Sequence, residues 1–230
     1  MTVLLVVAKA PVAGLAKTRL CPPATPEQAA EIAAAALLDT LDAALRSPAS
    51  AVVVALTGDL HRAVRRTELA GALARTSVLP QRGEGFGDRL ANAHLDTAAA
   101  FPGQAILQVG MDTPQLCAPG PGAFLHSALA SLDRGCAALL GPALDGGWWA
   151  LGLADPRHAI ALRGVPMSRP DTGARTRAAL VARGLSVNPL PKLSDVDTAE
   201  DARSVAATVP ESRFAAAVYA ALGQPVEVGR

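Results

Sequence analysis

Short runs that are apolar at every position, separated by long stretches of helical composition, constrain this chain more than any other feature. Thr2-Val-Leu-Leu-Val-Val-Ala8 and Ala51-Val-Val-Val-Ala-Leu56 show no polar alternation, which is the pattern of strands covered by helices on both faces, as in a parallel sheet. Further strands are expected at 76–80, 104–109, 136–140, 148–153 and 186–190. Between them, Thr25-Pro-Glu-Gln28 is a helix start: Thr caps, Pro takes the first helical position and Gln reaches back to the cap. That helix should run to about 46, and others are expected at 60–74, after Asp88-Arg-Leu90, at 122–134, 172–183, from a cap at Thr198, and at 211–222, with a frayed tail after Gly223. Strands alternating with helices predict an α/β fold with a mainly parallel sheet, whose ligands bind at the carboxyl ends of strands. With no repeat or low-complexity linker, the 230 residues read as one domain, 1–230.

Composition narrows the partners. Half the residues are hydrophobic but only 3% are aromatic, so the core is expected to be Ala, Val and Leu. A net charge of +1 gives no field to gather phosphate backbones, and no nucleic-acid partner is expected. Cys21, Cys117 and Cys136 lack the spacing of a zinc site or a disulfide framework, which fits a reducing cytoplasm, and Cys21 is expected to be inert. The first apolar run, ended by Lys9, is too short for a leader or a membrane span. His61, His94, His126 and His158 share no ligand spacing and are expected on helix surfaces.

The chemistry-bearing residues gather at predicted strand ends. Lys9-Ala-Pro-Val-Ala-Gly-Leu-Ala-Lys-Thr-Arg-Leu20 follows the first strand and sets Lys9, Lys17 and Arg19 around Gly14, where a missing Cβ lets backbone N–H groups approach an anion. It reads as a cradle for a nucleotide di- or triphosphate; the alternative is a charged surface turn. Asp112, after the strand ending at Val109, is the first candidate for Mg²⁺ or Mn²⁺, and otherwise caps its turn. Of Asp195 and Asp197, expected at another strand end, at most one is expected to face the site. Asp197 is chosen, the alternative being that both complement a helix N-terminus. Asp145, in Gly141-Pro-Ala-Leu-Asp-Gly-Gly147, is placed to bind an acceptor hydroxyl or act as general base, or else is a turn residue. Trp148 and Trp149 must face opposite sides of a strand, one into the core and the other free to stack on a sugar or acceptor. Arg169, Arg175 and Arg177 either reach an anionic acceptor or lie on solvated helix faces.

In this order, Lys9-x-Pro-x-x-Gly-x-x-Lys-Thr-Arg-Leu20, Gly110-x-Asp-x-Pro-x-Leu116, Gly141-Pro-x-x-Asp-Gly-Gly147 and Asp195-Val-Asp-Thr-x-Glu-Asp201 resemble small bacterial glycosyltransferase-like proteins of the nucleotide-diphospho-sugar transferase superfamily. The opening loop also resembles 2-phospho-L-lactate guanylyltransferase, and the last segment is similar to the end of molybdenum-cofactor and sugar-acid cytidylyltransferases. The resemblance implies a Rossmann-like GT-A fold, a three-layer α/β/α sandwich. It implies a nucleotide-binding part at about 1–115, an acceptor side at about 116–200 and C-terminal helices at about 198–222. Gly14, Lys17, Thr18 and Arg19 would hold phosphates, with Lys17 also assisting departure of the diphosphate. Lys9 and Pro11, with Ala8, would lie near base or ribose, while Gln81 and the 83–89 segment with Arg89 would close over the nucleotide. Asp112 would bind the metal and Asp197 complete its site. This sequence departs from the family at Trp148-Trp149, where a Tyr pair is usual, and at Met167, where a Trp is usual. The implied activity is metal-dependent glycosyl transfer from a nucleotide sugar to a small acceptor. Two alternatives stay open: nucleotidyl transfer to a phosphate or phosphonate with release of pyrophosphate, and nucleotide binding without turnover. Whether the chain forms a homo-oligomer is left open.

Overall fold

The computed structural model describes residues 1–224. Seven strands, β1 (Thr2–Lys9), β2 (Ala51–Thr57), β3 (Ser77–Pro80), β4 (Ala105–Gly110), β5 (Ala138–Pro142), β6 (Trp148–Leu153) and β7 (Val187–Pro189), form one sheet in the order β3-β2-β1-β4-β6-β5-β7. All pairings are parallel except those of β6, which runs antiparallel to both β4 and β5. The reason is local: only a tight turn separates β5 from β6, too short for the crossover that a parallel neighbour needs. The expected α/β/α sandwich with a mainly parallel sheet is therefore present.

Alternation along β1 explains why no polar residue interrupts it. Leu4, Val6 and Ala8 enter a core shared with α1 (Pro26–Arg46), α2 (Arg66–Leu73) and α4 (Pro119–Asp133), whereas Val3, Leu5 and Val7 enter one shared with α3 (Gly85–Ala100) and α5 (Thr172–Val181). The Thr25 capping box predicted from sequence opens α1. A third apolar cluster covers the outer side of α1 with α6 (Ala199–Thr208) and α7 (Arg213–Leu222). Ala29, Ile32 and Ala36 face this layer, so α1 is buried on nearly every side. Asp39 of α1 ties the layer down by accepting from the Phe214 amide at 2.8 Å and from Arg213 at 3.0 Å.

The expected 60–74 helix is broken. Asp59 caps a 3-10 turn at Leu60–Arg62, and α2 starts only after Arg65, whose φ is 53°. The intervening Val64 amide donates to the Pro11 carbonyl at 3.1 Å, a tertiary bond that competes with helix continuation. The Pro-punctuated stretch after Asp155 forms a 3-10 segment, Pro156–Gly164, which packs on α3. Thr198 caps α6 as expected, with Asp201 completing a capping box. The expected frayed tail after Gly223 lies outside the described residues from 225 onward. Among the described residues no helix is long and apolar enough to cross a membrane.

His94 is not on a helix surface. It is fully buried between α3 and β4, with Nε2 3.1 Å from the Gln108 side-chain oxygen, and burial lowers its pKa to about 4. An unfolded chain binds a proton at this imidazole below about pH 6.5, while the folded one does not until near pH 4, so stability contributed here falls as pH falls through that window. A His94→Gln variant should lack this share of the acid sensitivity, worth about 3 kcal/mol. Denaturant unfolding of both proteins at neutral pH and near pH 4.5 measures it; equal slopes would remove the assignment.

Candidate functional site

A cavity of about 680 Å³ opens at the carboxyl edge of the sheet, lined by the ends of β1, β2 and β4 and by the β5–β6 turn. The opening loop meets it with Lys9 and Arg19, while Lys17, the strained residue of the loop, borders a smaller neighbouring crevice and bonds Asp112 from there. Lys17 has φ 48° and ψ 40°, left-handed values that a side chain with a Cβ rarely adopts. In that conformation its ammonium bonds a carboxylate oxygen of Asp112, donates to the Val196 carbonyl at 2.5 Å and lies 3.9 Å from Asp197. Arg19 adds an ion pair to Asp197 at 2.7 Å. Burial alone would lower the Lys17 pKa, but the charge and hydrogen bond of Asp112, with Asp197 and Asp195 beyond, raise it instead. Burial alone would likewise raise the Asp112 pKa, and Lys17 holds it below the usual carboxylate range. Both groups are therefore charged at neutral pH. Gly110 leaves room for Asp112, since a Cβ there would lie 2.8 Å from the carboxylate.

The other loop residues are placed less directly. Lys9 lines the cavity but donates its ammonium to the Leu15 carbonyl at 2.7 Å. Thr18 borders a neighbouring smaller crevice with Lys17 and Arg19. Pro11 is buried and Gly14 serves the turn with φ 74°; neither is among the cavity's lining residues. Gln81 and Arg89 do line it. The Gln81 amide nitrogen bridges the Ala8 and Ala55 carbonyls at 2.8 and 2.9 Å, and Arg89 lies over the Phe86 ring at 5.6 Å.

The expectation that only one of Asp195 and Asp197 faces the site is overturned. Both line the cavity, while Val196 between them is fully buried in the α1–α6–α7 cluster. The segment is an extended loop rather than a strand end, and residues two apart on an extended chain share a face. Burial, then the charges of Asp112 and Asp145, raise the Asp195 pKa to about 7. Four carboxylates, Asp112, Asp145, Asp195 and Asp197, thus line the cavity with Arg19, and Lys17 bonds Asp112 from the neighbouring crevice. This surplus of hard oxygen donors suits Mg²⁺ or Mn²⁺, which takes one or two protein carboxylates and completes its shell with phosphate and water. Among the described residues no three acidic, His or Cys side chains are gathered into a ready-made cage.

The β5–β6 turn also lines the cavity, joined to the loop before Asp195 by the Leu144 amide, which donates to the Leu193 carbonyl at 3.0 Å. Asp145 both lines the cavity and holds its turn, accepting from the Gly147 amide at 2.8 Å. The turn is pinned to the start of α5: the Gly173 amide donates to the Gly146 carbonyl at 2.8 Å, and a Cβ on Gly146, whose φ is 89°, would lie 1.8 Å from the Pro170 carbonyl. The tryptophans take opposite faces as expected. Trp149 is buried and donates to the Pro191 carbonyl at 2.9 Å, whereas half-buried Trp148 faces the cavity with its indole N–H 3.1 Å from Thr176 Oγ1. Arg169 lines the cavity, but Arg175 is engaged by Asp171 at 2.6 Å. Sequence reasoning set Asp195 aside in favour of Asp197 and did not single out Gln108, and both line the cavity. The signal for Gln108 was present: it is the one polar side chain in the otherwise apolar run 105–110.

Known proteins bear on this geometry through fold and family. A protein assigned to the nucleotide-diphospho-sugar transferases, from Desulfovibrio desulfuricans G20, superposes with a TM-score of 0.81 at 24% identity, covering 95% of this chain and 94% of its own. CMP:2-keto-3-deoxy-manno-octonic acid synthetase, solved with CTP, matches at TM-score 0.54 and 11% identity over 91% of this chain and 98% of its own. 4-Diphosphocytidyl-2C-methyl-D-erythritol synthase matches at TM-score 0.54 and 15% identity over 90% and 97%. At these identities the likeness is one of fold: this chain has the nucleotide-diphospho-sugar transferase fold. No curated protein matches its sequence. Residues 40–169, more than half of the chain, match the model of the family described as uncharacterized protein conserved in bacteria (DUF2064), and the chain belongs to that family.

Proposed function

We propose that this protein is a metal-dependent glycosyltransferase that moves a sugar from a nucleotide sugar to a small acceptor. The observation that carries this reading is the meeting in one cavity of two unlike groups of residues: Asp112, Asp197 and Arg19, and Asp145 with Trp148. With a divalent cation on its carboxylates, the first group would have the charges a diphosphate needs. The second offers a carboxylate for a hydroxyl and an indole face for a sugar ring. In this reading the nucleotide occupies the part built by residues 1–115, the acceptor enters from the side built by 116–200, and the helices within 198–222 brace the fold as one domain. Such a transferase would act in the cytoplasm, where nucleotide sugars and free cysteines coexist.

Asp112 and Asp197 would hold Mg²⁺ or Mn²⁺, which supplies positive charge against the departing diphosphate. Lys17 stays protonated beside Asp112 and adds a fixed cation, while exposed Arg19 is free to exchange Asp197 for a phosphate oxygen. Asp145 uses one carboxylate oxygen for the Gly147 amide, leaving the other for the acceptor hydroxyl. As the hydroxyl oxygen bonds the anomeric carbon and the carbon–oxygen bond to the diphosphate breaks, the hydroxyl proton passes to Asp145, giving inversion.

A second reading, nucleotidyl transfer, is favoured by one observation: Asp195 joins Asp112 and Asp197 around Lys17, an acid-rich arrangement suited to a triphosphate with metal. The CTP-bound synthetase with the same fold agrees with it. Product analysis separates the readings. Incubation with nucleotide sugars or nucleoside triphosphates, candidate acceptors and Mg²⁺ is expected to yield a nucleoside diphosphate; pyrophosphate instead would establish nucleotidyl transfer. Nucleotides that raise the melting temperature while no substrate pair reacts would point to a binding protein without turnover.

Two substitutions locate the chemistry. Asp145→Asn should lower kcat by ~10²–10⁴-fold while leaving the Kd of the nucleotide sugar unchanged, because the base acts on the acceptor. Asp112→Asn should lower turnover by ~10²-fold or more and weaken metal-dependent nucleotide binding as well. Unchanged turnover in either variant removes that residue from the reaction.

A further inference from the structure

We infer that Gln108 reads the sugar ring of the nucleotide sugar, and that His94 is the positioning residue that turns Gln108 toward it; this deepens, and rests on, the glycosyl reading above. Gln108 is only 3% exposed, yet it lines the cavity on the α3 side of the sheet, among Val7, Leu90, Trp148 and Met167. A buried carboxamide is costly unless each end finds a partner. Among the described residues its side chain has one, His94.

The imidazole settles which end of the amide faces inward. His94 Nδ1 is buried with no hydrogen-bond partner. Leaving a bare acceptor there costs less than leaving an orphaned N–H, so the proton of the neutral ring sits on Nε2. Nε2 then donates to the Gln108 oxygen at 3.1 Å, and the two amide N–H groups are presented to the cavity. Their surroundings select the ligand. Val7, Leu90 and Met167 offer no charge, and Trp148 offers an aromatic surface whose N–H is already engaged by Thr176. Two N–H donors on an apolar floor beside an indole suit sugar hydroxyl oxygens above and a sugar C–H face alongside. A phosphate would be better served at Arg19, where positive charge is available.

Calorimetric Kd values for the matched pairs UDP and UDP-glucose, GDP and GDP-mannose, ADP and ADP-glucose, and dTDP and dTDP-glucose, all with Mg²⁺, test this. Wild type should bind at least one nucleotide sugar ~10-fold more tightly than its diphosphate, and Gln108→Met should shrink that ratio to ~1–2 with the diphosphate Kd unchanged. Gln108→Glu keeps an oxygen to accept from His94 but replaces both N–H donors with a carboxylate that only accepts, so hydroxyls held through their oxygens are lost and the ratio should fall with the diphosphate Kd unchanged. His94→Phe should lower the ratio too without altering diphosphate binding, an effect that a purely packing role would not produce. A ratio preserved in the Gln108 variants overturns the assignment and leaves the glycosyl reading standing. So does diphosphate binding lost together with the sugar increment in a folded variant, because Gln108 would then touch the nucleoside. No sugar increment with any pair also overturns it. Pyrophosphate in the product analysis would instead overturn the glycosyl reading itself.

Discussion

The ammonium group of Lys17 holds the carboxyl edge of the sheet together. It joins three segments far apart in sequence: its own loop after β1, Asp112 after β4, and the Val196 carbonyl in the loop after β7. Without it, Asp112, Asp195 and Asp197 would face one another across a half-buried cavity, where like charges repel far more strongly than in water. The fold holds Lys17 in a left-handed conformation to place that charge. The carboxylates are therefore already gathered around one positive charge.

The placing of Asp145 follows from topology. β5 lies parallel to β4 but is separated from it by antiparallel β6, so the carboxyl ends of β4 and β5 point to the same edge. A tight turn then sends the chain back as β6, and Asp145 sits on that turn, lining the same cavity as Asp112. The turn is held by Gly146 and Gly173 against the start of α5, which makes Asp145 a fixed group on a rigid wall. The Lys17 loop offers the contrasting element, with Arg19 two-thirds exposed and able to move.

What sequence could reveal was decided by how local the cause was. The apolar runs of β1 and β2 and the Thr25 capping box are local patterns and appear as expected. Asp112 and Asp145 were legible because strand ends on one sheet edge converge. The inclusion of Asp195 was also within reach, since its spacing from Asp197 on an extended chain already places both on one side. The conformation of the opening loop was not, because the Val64 amide on the Pro11 carbonyl and Lys17 on Asp112 are contacts with distant segments. Nor was the His94–Gln108 pair, whose members look like an ordinary helix histidine and a lone strand glutamine until α3 packs on β4.

Apolar neighbours set the positions of the charged groups. Leu20 follows Arg19 directly, Val196 lies between Asp195 and Asp197, and both are fully buried in one cluster with Phe214 of α7. The two loops that carry the site's charges are thus fastened by side chains pointing away from it, into the layer outside α1. The Ala-rich composition makes that layer possible, because Ala29 and Ala36 on the outer side of α1 let α6 and α7 approach closely while Ala34, Leu37 and Leu41 serve the sheet. Charge repulsion at the cavity is opposed by hydrophobic burial one residue away. The terminal helices belong to the site's construction although none of their side chains lines the cavity.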